Sequence, residues 1–191
     1  DVPAQGQRVV RDVTLRNVMA VLPGRSPRRI YVSAHYDSLA RRPRPATGAT
    51  EDGIQAARSP QAGATPAASA QPGPAGGFDW GDADGFAPGA NDDGSGTALV
   101  MELARVFAQS GVEFDATLVF IAFAGEEQGL VGAKLHAQRA EAERLVIDAV
   151  YNNDIVGNPV GGQGRIDSGS VRVFSEGPED SPSRQLARFI R

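Results

Sequence analysis

The sequence predicts an α/β domain built on a mixed, mostly parallel central sheet with helices on both faces. Two observations carry that expectation. Strand-like and helix-like stretches alternate along the 191 residues, the pattern of layered α/β folds. The stretch Thr117 to Ala124 is almost continuously apolar (Leu118, Val119, Phe120, Ile121, Ala122, Phe123), as expected of a strand covered on both sides.

Taken in order, residues 8 to 22 alternate loosely through Val9, Val13, Leu15, Val18, Ala20 and Leu22, and predict one or two strands ended by Pro23 and Gly24. Arg29 to Tyr36 predicts the next strand, with Ile30, Val32 and Ala34 on one face. Residues 39–87 turn to Pro, Ala, Gly, Gln and Ser, too little apolar surface for a core, and predict a mobile insertion. Its aromatic and acidic end, Phe78-Asp79-Trp80-Gly81-Asp82, reads as a surface tether or as a flap beside a site. Gly94-Ser95-Gly96 opens a helix with Leu99, Val100, Leu103, Val106 and Phe107 on a broad apolar face, closed by Gly111. Leu130 to Glu143 predicts a second helix, Leu145 to Tyr151 another buried strand, and Val171 to Phe174 a short one. Ser183 reads as the N-cap of a last helix over residues 184–191. That helix stops after about two turns, which suggests a single domain, 1–191, lacking its C-terminal part.

Composition narrows the function. A net charge of -4 offers no basic footprint for nucleic acid. No apolar run reaches the ~18 residues of a membrane span. The absence of cysteine excludes disulfides and thiol catalysis.

Four polar clusters stand out, each expected just after a predicted strand, where ligands bind in open α/β sheets. In His35-Tyr36-Asp37 the i and i+2 side chains point the same way, so Asp37 can orient the His35 ring as carboxylates do for metal-bound imidazoles. Alone, this pair reads more readily as a structural histidine. In Asn91-Asp92-Asp93-Gly94-Ser95-Gly96 the two acids could be helix caps, yet one carboxylate has two oxygens and can bridge two cations, with Asp92 the candidate. In Gly125-Glu126-Glu127-Gln128-Gly129-Leu130 neighbouring acids diverge, so that one can bind a metal while the other faces a reactive water. Asn153-Asp154-Ile155-Val156-Gly157 ends a strand with an acid.

In this order and combination the four clusters resemble the di-zinc aminopeptidases, family 28 of the metallopeptidases, from about Asn17 to Gly157, including the lead-in Asn17-Val18 and Leu22-Pro23-Gly24. The resemblance implies a zinc-exopeptidase-like fold. It implies one zinc on His35, Asp92 and Asp154, and a second on Asp92 and Glu127 with a further histidine from near the family's C-terminus. Glu126 would be the general base, Asp37 the partner of the His35 ring, and the Asp92–Asp93 peptide bond cis. Two Zn²⁺ with three carboxylates and one hydroxide would be charge-balanced, as a buried cluster needs. The implied substrates are peptides with a free N-terminus, and the implied location is secreted or periplasmic.

The second histidine of the chain, His136, falls in the predicted helix after Glu127, too far along to ligate unless that helix breaks. The sequence therefore leaves the second zinc with two ligands. Three alternatives stand beside the aminopeptidase: a non-catalytic binding module on the same fold, a single-zinc glutaminyl cyclase, and a carboxypeptidase-type specificity using Arg165 or Arg172.

Overall fold

The computed structural model describes residues 11–39, 42–43, 78–79 and 87–190. By contact density the chain divides into two units, Asp1–Gly157 and Asn158–Arg191. The first holds β1 (Val18–Leu22), β2 (Ser26–His35), β3 (Arg42–Pro43), β4 (Phe78–Asp79), α1 (Gly94–Gln109), β5 (Ala116–Phe123), α2 (Val131–Ala142) and β6 (Ile147–Asn152). The second holds a 3-10 turn at Gly162–Gly164 and α3 (Pro182–Ile190).

Four strands form one sheet in the order β1-β5-β2-β6. β2 is central and parallel to both neighbours, with Val32 opposite Phe120 on one side and Tyr151 on the other. β1 runs antiparallel along the outer edge of β5. The chain steps from β2 to β5 through α1, then back across β2 to β6 through α2. Right-handed crossovers in opposite directions place their helices on opposite faces. Both faces are indeed covered. On one, Val32, Ala34, Leu118 and Phe120 pack against Val100 of α1, flanked by Leu103, Ala104 and Phe107. On the other, Tyr31, Val119 and Ile121 form a cluster with Phe123, and His136 of α2 sets its ring edge against Tyr31 and Phe123. The mixed, mostly parallel sheet with helices on both sides is the predicted fold.

Several boundaries differ from the sequence expectation. One strand, β1, forms among the described residues of 8 to 22, and residues 1–10 lie outside them. Within the 39–87 insertion, Arg42 pairs with Asp79 and Pro43 with Phe78 in a two-stranded antiparallel ladder. The rest of that stretch, and with it the mobile-loop, tether and flap readings, falls outside the described residues apart from Leu39 and Ala87. α1 ends at Gln109, two residues before Gly111, which takes φ +68°. β6 is not buried along its length: it is an edge strand of alternating half-buried and exposed residues, and Val150 is 56% exposed.

Val171 to Phe174 forms no strand, and Phe174 is exposed. A strand exists only through a partner's hydrogen bonds, and among the described residues these four have none. α3 begins two residues earlier than expected. Pro182 takes the first helical position, where its missing N–H costs nothing, and the cap is Ser181, whose Oγ accepts from the Arg184 amide at 3.3 Å.

Candidate metal centre

The parallel strands β2, β5 and β6 all end at the same edge of the sheet, and the polar clusters sit there. His35 is the last residue of β2; Glu126 and Glu127 follow β5; Asp154 follows β6; Asp92 precedes α1. Among the described residues, one group of three or more potential ligands converges: His35, Asp92 and Asp154, with one donor atom each, all within 4.8 Å of one another. His35 Nε2 lies 3.2 Å from Asp92 Oδ1 and 3.9 Å from Asp154 Oδ1. Zinc bonds of ~2.0–2.2 Å to nitrogen and oxygen require donor separations of about 3–3.5 Å. Asp92 meets that span, and Asp154 needs to close by about half an ångström, the direction in which a shared cation draws carboxylates that otherwise repel. The donor set therefore fits one divalent ion.

The electrostatics agree. Burial raises the Asp154 pKa, helped by Asp93 and Asp92 and opposed by His35. Burial likewise raises Glu126, which His35 lowers and Asp154, Asp37 and Asp92 raise further. For His35 burial acts downward, but Asp154, Asp37, Asp93 and Glu126 outweigh it, and the net shift is upward. Acids held close enough to resist ionisation are what a cation relieves.

Asp37 performs a task the sequence did not suggest. Its Oδ1 accepts from the Glu126 amide at 3.0 Å and its Oδ2 from the Glu127 amide at 3.1 Å. Its carboxylate is 3.6 Å from His35 Nδ1, while its backbone carbonyl lies nearer, at 3.1 Å. Asp37 thus joins the end of β2 to the turn that carries both glutamates. Asn17 braces the same turn from β1's approach: its Oδ1 accepts from Ala124 N–H and its Nδ2 donates to the Gly132 carbonyl. A Cβ on Gly132 would run into Asn17 Oδ1 and the Ala124 carbonyl, so that position has no room for a side chain. Glu127, expected at a second zinc, lies outside the three-ligand group. His136 lies outside that group too, with its Nε2 3.1 Å from Tyr31 Oη.

Asp93 was read from sequence as a possible helix cap and as half of an expected cis pair, and Thr97 was not singled out. The Asp92–Asp93 bond is cis. Asp93 is 1% exposed, caps α1 through Gly96 N–H, and also accepts from the amides of His35 and Ile155. Thr97 Oγ1 donates to the His35 carbonyl at 2.8 Å. The spacing Asp93-x-x-Gly96 marks the cap in sequence, but nothing local marks its two distant amides.

Residues 79–172 match the sequence model of peptidase family M28. The chain is a homologue of that family. The matched stretch contains Asp92, Glu126, Glu127 and Asp154. A curated “Probable zinc metalloprotease” of Pyricularia oryzae is 45% identical over 123 residues, covering 54% of this chain and 24% of the relative. Another of the same name, from Pyrenophora teres, is 33% identical over 208 aligned positions, covering 98% of this chain and 36% of the relative. The chain therefore spans about a quarter to a third of these relatives. Among solved structures, the LapA aminopeptidase of Legionella pneumophila is similar with TM-score 0.46 and 26% identity, over 73% of this chain and 26% of that one. LapB of the same organism gives 0.49 and 25%, over 77% and 28%.

Proposed function

We propose that this chain carries the metal centre of a zinc-dependent exopeptidase that removes N-terminal residues from peptides. The observation that carries the reading is the convergence of His35, Asp92 and Asp154 beside the Glu126-Glu127 turn, in a chain homologous to the M28 peptidases. A zinc ion held there supplies a Lewis acid that polarises the scissile carbonyl and lowers the pKa of water. Glu126 accepts the proton of the attacking water and delivers it to the leaving amine, a role suited to a carboxylate whose pKa its surroundings raise. Asp37 holds Glu126 at its post through the two amides it accepts. Asp92 and Glu127 are the residues that would hold a second ion. The surrounding acids attract the substrate's α-ammonium group, which restricts cleavage to the first peptide bond.

The test is zinc binding together with hydrolysis of leucine p-nitroanilide by this chain and by Glu126→Gln. The variant retains zinc and loses hydrolysis by at least about 10²-fold; near-normal turnover would remove Glu126 as the base. One three-ligand group among the described residues also suits a one-zinc glutaminyl cyclase. Cyclisation of an N-terminal glutaminyl peptide without release of leucine would select that reading.

A further inference from the structure

We propose that Asp93 is the positioning residue that sets the geometry of the metal centre before any ion arrives. It contributes no ligand atom to the cluster, and it is buried while Asp92, its neighbour, faces the other ligands. Its Oδ2 accepts from the His35 amide at 3.1 Å; its Oδ1 accepts from the amides of Gly96 at 3.0 Å and Ile155 at 3.2 Å. These three amides belong to three separate segments. His35 ends β2 and is itself a ligand. Gly96 lies in the first turn of α1, four residues after Asp92. Ile155 follows Asp154. One carboxylate thus ties together the three segments that carry the ligands.

The surroundings are built for this carboxylate. A Cβ on Gly96 would fall 2.5 and 2.6 Å from the two Asp93 oxygens and collide with the Asn153 carbonyl, so the absent side chain there makes room for Asp93 and for the approach of the β6 loop. Thr97 takes the His35 carbonyl, so both backbone polar groups of His35 are held by the start of α1. Neutral isosteres cannot reproduce the arrangement. An asparagine has one acceptor oxygen, and its amide nitrogen would meet either the His35 N–H or the Gly96 and Ile155 N–H groups, donor against donor.

The inference rests on the cation-binding reading of the site, and its test includes a measurement made without metal. Asp93→Asn weakens zinc binding about 10- to 100-fold, the usual cost of losing a group that orients ligands. Val100→Ala, which loosens the core beneath α1 without touching the three amides, lowers stability and leaves zinc affinity unchanged. Unchanged affinity in Asp93→Asn, or an equal loss in Val100→Ala, would overturn the proposal. Hydrogen exchange on the wild-type chain decides the matter even where Asp93→Asn fails to fold. The amides of His35, Gly96 and Ile155 are already protected in metal-free protein. Protection of these amides that develops only on zinc addition would make the ion, not Asp93, the organiser. Failure of the wild type to bind zinc, with the three amides protected, would instead refute the metal reading and leave the positioning role standing.

Discussion

At the scale of single residues, the two histidines show how environment divides one side chain into two roles. His35 is drawn upward in pKa by the acids around it, against its burial. His136 lies between Tyr31 and Phe123, and burial first, then Arg139 and Arg29, lower its pKa below 6.5, with Glu143 opposing. Above pH 6.5 it is neutral in folded and unfolded chains alike. As pH falls below 6.5 the unfolded chain takes up a proton that the folded one resists, so this residue's contribution to stability declines toward its folded pKa. Urea denaturation at pH 7.5 and 5.5 checks this: His136→Gln loses less stability on acidification than the wild type, and equal losses would contradict the assignment. The residues of the converging group, His35, Asp92 and Asp154, were legible in sequence because His and Asp after an apolar strand or before a helix, in this order along the chain, are conspicuous. Asp93 was not: a helix cap and a three-way brace look the same until the chain folds, because two of its three donors lie 58 and 62 positions away.

At the scale of elements, strength of pattern decided legibility. β5 reads as buried on both faces because six consecutive apolar residues admit nothing else, and Ile121 at its centre is 0% exposed. Ile121→Ala should cost about 2–5 kcal/mol in urea denaturation. Met101→Ala, 69% exposed on α1, should stay within about 0.5 kcal/mol. Equal effects would mean that β5 is not the core strand. β6 is also rich in apolar residues but sits at an edge, since sequence reports hydrophobicity and not strand order. Asp148 within it, paired to Arg28 at 2.8 Å, is the local sign of an edge position. Val171 to Phe174 had strand composition but no partner among the described residues, so composition alone misled there. The start of α3 shifted by two residues because Ser181 takes the cap expected of Ser183, and Pro182 after it suits the first helical position.

At the scale of the molecule, topology does what no single motif can. Ligands drawn from segments as distant as His35 and Asp154 meet because β2, β5 and β6 run parallel and finish at one edge. The alternation of strand and helix made that arrangement legible in advance. The sheet order and the choice of β2 as centre came from long-range pairing, which local sequence does not encode. The decisive measurement is anomalous diffraction at the zinc edge from crystals of this chain grown with zinc. The account predicts a peak ~2.0–2.2 Å from His35 Nε2 and from a carboxylate oxygen of both Asp92 and Asp154. Zinc bound elsewhere, with His35 turned away from Asp92 and Asp154, would contradict it.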